Sequence, residues 1–170
     1  MTDRAPNMRR KAGSADRVRA FLAEHGLAGD IVTFDASTKT AQMAADAVGC
    51  ELGQIVKSLV VVGDGGAAVV ALVAGDMRGD LAAIGRESGT TGARMADAEE
   101  VRAATGYAIG GVSPFDLPAE LPVLVDHSLR RFRAVYSAAG TPNSVVPLGL
   151  DDLLRLSGGR EASVSDRAGS

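Results

Sequence analysis

The chain has 170 residues, 46% apolar and 23% charged, with a net charge of −3. That composition fits one globular domain with a full core, built from Val, Leu, Ile and Ala, since aromatics are 4% and Trp is absent. A mildly acidic chain is a poor general binder of polyanions, so any contact with nucleic acid should be local and confined to one end of it.

Cys50 is the only cysteine. No internal disulfide is available, which suits a reducing, cytoplasmic setting. His25 and His127 stand apart, without metal-ligand spacing, so neither a metal nor any other cofactor is expected. The longest apolar runs, near 59–62 and 67–74, fall well short of the roughly 18 residues a membrane span needs, so no membrane partner is expected.

Residues 1–13, with Arg4, Arg9, Arg10 and Lys11, read as a disordered basic tail. Residues 14–166 read as the domain and 167–170 as a second tail. A helix begins near Ser14, taken as its N-cap, with Val18, Phe21 and Leu22 on one stripe and Gly26 as its stop. A short strand is expected at 31–34. A helix follows at 40–48, with Met43, Ala44 and Ala47 inward and Gly49 at its end. A single turn fits 51–54.

Residues 55–62 are rich in β-branched side chains, Asp64-Gly65-Gly66 is a turn, and 67–74 is a second apolar run. Together they predict a β-hairpin covered on both faces. Short helices are expected at 80–87 and 98–105, the second capped by Asp97 and ended by Gly106. The stretch 107–122, dotted with Gly and Pro, reads as a long ordered loop of the kind that often carries function. Strands at 123–126, 132–138 and 144–147, a helix at 150–156 and an edge strand at 162–164 complete the order. Two hairpin-like pairs exclude a purely parallel sheet. The fold class is therefore α/β, with a mixed, curved or closed sheet flanked by helices.

Lys57 stands out because strand alternation puts it on a face with Ile55, Leu59 and Val61. An ammonium there must be paired, snorkel to water, or open into a cleft. The loop Gly110-Gly111-Val112-Ser113-Pro114 offers backbone that a ligand can approach closely. It matches no nucleotide-binding fingerprint, and no Gly-x-Ser-x-Gly elbow is present. Asp126 ends a strand and reads either as a cap for His127-Ser128-Leu129 or as a site carboxylate. Arg130-Arg131-Phe132-Arg133 is the densest basic cluster of the domain, either a solvated face or a contact for phosphates.

The ordered set of Val48-Gly49, Gln54-Ile55-Val56-Lys57-Ser58-Leu59-Val60, Val73-Ala74-Gly75-Asp76, Thr105-Gly106-Tyr107, Gly110–Phe115, Leu121–Asp126 and Ala139-Gly140 resembles the YbaK and prolyl-tRNA synthetase editing-domain family from about Thr40 to Leu156. The resemblance implies a barrel-like mixed sheet and a pocket for the aminoacylated 3′ acceptor end of tRNA. It implies hydrolysis of the ester of mischarged tRNA in trans, with a tRNA synthetase as a further partner. It places the functional lysine at Lys57 and the Gly-x-x-x-Pro loop at Gly110 and Pro114. Gly110 and Gly111 are expected to be catalytic with Lys57, the backbone N–H groups of residues 110–113 stabilising the oxyanion. Ser58, Val112, Ser113, Pro114, Asp126, Ala139 and Gly140 are the expected substrate contacts. The chain departs from the pattern at Ala138-Ala139-Gly140, where some relatives have Ser-Gly-Gly, and at Asn143, where many have His. Two other readings stay open at this point: a tRNA- or synthetase-binding module without catalysis, and a hydrolase or binder of a small adenylated metabolite.

Overall fold

The β-branched run pairs as its pattern demands. In the computed structural model, which describes residues 13–35, 40–141 and 143–167, β2 (Val56–Val62) and β3 (Ala68–Ala74) form an antiparallel ladder from Val56–Ala74 to Val62–Ala68. The connecting turn, Asp64–Gly66, is a short 3-10 segment. This hairpin is the centre of a five-stranded sheet. Its order runs through β5 (Arg94–Met95), β2, β3, β6 (Val123–Asp126) and β9 (Arg160–Ala162). β6 runs parallel to both β3 and β9, so the sheet is mixed.

Both faces of the hairpin are covered. Val56, Val60, Val70, Leu72 and Val125 point into the main core. There they meet Val18 and Leu22 of α1 (Ser14–Glu24) and Leu150, Leu153 and Leu156 of α5 (Leu150–Ser157). On the other face Val61, Val69, Ala71 and Val73 pack with Ile84 of α3 (Leu81–Ser88) and with Leu124 and Val164. Each such side chain contributes about 1.5–3 kcal/mol by leaving water, which is why the hairpin is the least replaceable part of the chain.

A second, three-stranded sheet orders β1 (Val32–Thr33), β8 (Ser144–Leu148) and β7 (Val135–Ala138), all antiparallel. A third pairs β4 (Met77–Gly79) with β10 (Ser165–Arg167). One parallel bridge, Ile55 to Tyr136, links the second sheet to the start of β2. The expectation of an α/β fold with a mixed sheet therefore holds, but the barrel does not close.

Helix ends follow local chemistry. In α4 (Ala98–Thr105) the Asp97 carboxylate accepts from Glu100 N–H while the Glu100 side chain accepts from Asp97 N–H, a complete capping box. Thr40 caps α2 (Ala41–Val48) through Met43 N–H, and Asp80 caps α3 through Ala83 N–H. The cap of α1 is Gly13, not Ser14, which is already helical and makes no capping bond. In α2 the inward side chains are Ala44 and Ala45, while Met43 and Ala47 are exposed. Strand β7 begins at Val135 because His127–Arg131 coils into a 3-10 segment first. Ser165–Arg167, expected as the domain's last residues and the start of a tail, instead form β10 on β4. The remaining tail residues lie outside the described ones, as does most of the basic tail. No helix among the described residues is long and apolar enough to cross a membrane.

Candidate active site

The single bridge between β2 and β7 creates the site. Val60 carbonyl accepts Ala96 N–H from the β5 side of β2. By alternation the backbone groups of Val56 and Ser58 point to that same side, where β7 pairs only through Ile55. Beyond this bridge β2 borders a cleft of about 430 Å3. Its lining includes Lys57 and Ser58 of β2, Gly110 and Val112 of the loop, and Tyr136 and Ala138 of β7. Ala41 and Ala44 of α2 form a further wall, and Thr141 and Ser144 close the far end.

Lys57 is the only charged side chain among the described lining residues. Its ammonium donates to Met77 carbonyl in β4. Burial pushes the Lys57 pKa down from its ordinary value, and the neighbouring Asp76 carboxylate partly opposes this. Asp76 is itself held below the usual carboxylate range, first by the Arg131 guanidinium that donates to both its oxygens at 2.7 and 3.0 Å. The lysine is thus held by a carbonyl, near a carboxylate that Arg131 already pairs, and it lines the cleft.

The loop makes the other lip. Gly110 has φ +84°, a left-handed backbone that a side chain would strain. Ser113 is fully buried, and its hydroxyl donates to Ala138 carbonyl at 2.9 Å, which fastens the loop to β7. Gly111 N–H is already spent on Ala108 carbonyl at 3.0 Å and Gly111 does not line the cleft, so it cannot serve as the oxyanion donor expected of it. Gly110 and Val112 do line it.

The other expected contacts divide. Ser58 and Val112 reach the cleft. Ser113, Pro114, Ala139 and Gly140 do not line it; Ser113 hydroxyl and Ala139 N–H donate instead to the carbonyls of Ala138 and Ser144, two residues that do, at 2.9 and 3.1 Å. Asp126 is elsewhere: fully buried, it accepts from Ser128 N–H, Val164 N–H and Ser165 hydroxyl. It is the cap reading, not the site carboxylate, that the structure supports. In the basic cluster Arg130 pairs with Glu161 and Asp151, and Arg131 with Asp76, while Arg133 is exposed. Two of its three cations are neutralised within the fold, which weakens the phosphate-contact reading.

Sequence reasoning missed the hydroxyl wall. Thr141 hydroxyl lies 2.6 Å from Ser144 hydroxyl and donates to Asn143 Oδ1 at 2.8 Å. The alternation of Tyr136 and Ala138 in β7, opposite buried Val135 and Ser137, marks only the neighbouring wall, and no local pattern marks Thr141 and Ser144. A larger groove of about 610 Å3 runs beside α4 and the 118–122 segment. Its charged lining residues are Glu100 and Glu120, a poor match for a polyanion.

The profile of the aminoacyl-tRNA editing domain matches residues 35–156, a span that contains every lining residue of the cleft. The chain belongs to that family. This editing domain is an aminoacyl-tRNA deacylase, a hydrolase of the ester that joins an amino acid to tRNA. It is similar to a solved structure described as a proposed trans-editing enzyme for prolyl-tRNA synthetase, with 42% identity, a TM-score of 0.82, and 91% of this chain and 98% of that one covered. It is 36% identical over 135 residues to the uncharacterized protein YwhH of Bacillus subtilis, covering 79% and 85% of the two chains. It is 32% identical over 144 residues to the multifunctional Ser/Thr-tRNA deacylase ProXp-y of Escherichia coli, covering 82% and 86%.

Proposed function

We propose that the cleft between β2, β7 and the Gly110–Pro114 loop takes the aminoacylated 3′-terminal adenosine of tRNA, with Lys57 as its functional cation. The observation that carries this reading is the lone ammonium sharing one cleft with the glycine loop. An aminoacyl ester is already activated, so water suffices as the nucleophile, and the reaction asks mainly for orientation and charge stabilisation. Lys57 anchors the terminal phosphate or ester carbonyl. The Gly110 and Val112 N–H groups face the developing oxyanion, where one well-placed donor is worth roughly 3 kcal/mol. A ribose hydroxyl of the substrate positions the water. Of the attacking water's two protons, one passes to the departing ribose oxygen and the other is released to solvent, so the amino acid leaves as its carboxylate.

Ala44, Val56, Val112 and Val145 give the cleft an apolar lining, while Ser58, Thr141 and Ser144 add hydroxyl-bearing residues. That lining fits a small side chain, and pockets of this type select by about 1–3 kcal/mol per methylene. A tRNA synthetase is the natural second partner, as the source of the mischarged substrate, and the cytoplasm is the setting.

The test is single-turnover deacylation of a panel of mischarged tRNAs, each beside an acceptor-stem minihelix carrying the same amino acid. Release should be accelerated for at least one small amino acid, with the minihelix rate within about tenfold of the full tRNA, because only the acceptor end is contacted. A protein that releases nothing above the uncatalysed rate from any substrate contradicts the reading.

A further inference from the structure

Helix α1 lies before residue 35, outside the span that the family profile matches, yet it grips the loop that rims the cleft. Arg17 is the centre of this contact. Its Nε donates to Asp116 Oδ2 at 3.2 Å and its Nη2 to Asp116 carbonyl at 3.0 Å. Its Nη1 donates to Gly106 carbonyl at 3.3 Å, and its guanidinium carbon sits 4.7 Å from the centroid of the Tyr107 ring. One side chain therefore ties the entry of the loop, Gly106-Tyr107, to its exit, Phe115-Asp116.

The two ends are also tied to each other, because Tyr107 hydroxyl donates to Phe115 carbonyl. Phe21, one helical turn beyond Arg17, stacks on Phe115 with centroids 5.9 Å apart. Asp116 has φ +56°, a left-handed conformation that costs a residue with a side chain about 1–3 kcal/mol and persists only where its surroundings hold it. Arg17 is what holds it. The start of the same helix abuts the opposite wall. A Cβ on Gly140, φ +96°, would stand 2.5 Å from Ser14 carbonyl oxygen, so only glycine lets β7's exit pass that close to α1.

We infer that Arg17 is a positioning residue for deacylation, holding the Gly110–Val112 backbone at the geometry the ester requires; this rests on the site proposed above. The contact is poorly suited to a purely stabilising role. The Arg17 and Asp116 side chains are 31% and 48% exposed, and ion pairs that open to solvent add little to global stability. Misplacing a catalytic group by about 1 Å, in contrast, costs up to about 100-fold in rate.

The test uses the full chain as wild type, Arg17→Ala and Arg17→Lys. The readouts are kcat and KM for the best mischarged tRNA, thermal unfolding, and amide exchange of residues 107–116. Arg17→Ala should lose about 10-fold or more in kcat with KM within about twofold and a thermal midpoint within a few degrees. Exchange over 107–116 should speed up, and free guanidinium should restore part of kcat. Arg17→Lys should recover little, since an ammonium cannot reach two carbonyls and a carboxylate at once. The inference is overturned if Arg17→Ala keeps wild-type kcat, if exchange over 107–116 stays at the wild-type rate, or if kcat falls only as the folded fraction falls. Should the wild type itself fail to deacylate, the proposed site is what fails. The exchange comparison then decides alone, unchanged protection of 107–116 sinking the Arg17 inference and faster exchange upholding its grip on the loop.

Discussion

Lys57→Ala is expected to lower the rate of deacylation by at least about 100-fold while the protein stays folded. The expectation rests on Lys57 being the only charge among the described residues that line the cleft. A single fixed donor at a developing charge is worth about 100- to 1000-fold when removed, and nothing else in the lining replaces it. The fold should tolerate the change. The lysine makes one bond, a charged donor to Met77 carbonyl, worth about 1.5–3 kcal/mol, well within the roughly 5–15 kcal/mol of a typical domain. Asp76 keeps Arg131 as its partner. Lys57→Met, which keeps the length of the side chain without the charge, should be as inactive as Lys57→Ala. The wild-type rate should also decline as pH rises through the Lys57 pKa. Burial lowers that pKa, so the decline should begin at a lower pH than an ordinary lysine, near 10.5, would give. A pH–rate profile on the wild type, corrected for spontaneous ester hydrolysis, measures this directly. Wild-type turnover by Lys57→Met would show that the charge is not used.

Asp126→Ala should have the largest effect on stability among the polar positions discussed, about 3 kcal/mol, or a midpoint lowered by roughly 10 °C. The carboxylate is fully buried and accepts three bonds, from Ser128 N–H at 3.1 Å, Val164 N–H at 2.8 Å and Ser165 hydroxyl at 2.7 Å. Truncation strands those donors in a dry site, and it unfastens β10 from the end of β6. Burial by itself would raise the Asp126 pKa, but the donors outweigh it and hold the pKa below its ordinary 3.8. A carboxyl whose folded pKa is the lower one stabilises fully above the unfolded value and loses that stability as pH falls through the folded value. The stability gap between wild type and Asp126→Asn should therefore narrow as pH drops below about 4, measured by denaturant unfolding at a series of pH values. A gap that stays constant into strong acid would show that the charge of Asp126 contributes nothing.

What the sequence disclosed and what it hid follow from the range of the forces involved. The hairpin, the capping box Asp97–Glu100 and the glycine at the end of α2 are local, so spacing and residue type revealed them. Strands β4 and β10 carry Arg78, Ser165, Asp166 and Arg167 and show no apolar alternation. They exist because Asp126 and its neighbours bring the end of the chain back to residues 77–79, and no local window contains that contact. Lys57 was legible because an ammonium in an apolar strand breaks a rule of burial. Gly110 was legible because paired glycines mark a loop that folds sharply. Gly111 was misjudged because hydrogen bonding inside the loop is not visible in residue type. Thr141 and Ser144 escaped because they reach the cleft only when β8 pairs with β7. Asp126 could be read either as a cap or as a site group, and only the position of Val164, 38 residues away, decides between them.

The most direct measurement of the site is an amide NMR titration of the full chain with a non-hydrolysable 3′-aminoacylamido-adenosine carrying a small side chain. Shift changes should concentrate on Ser58, Gly110, Val112 and Ala138, and they should weaken strongly in Lys57→Met. Changes that cluster instead around Glu100, Ala104 and Leu121, in the groove beside α4, would contradict the proposed active centre.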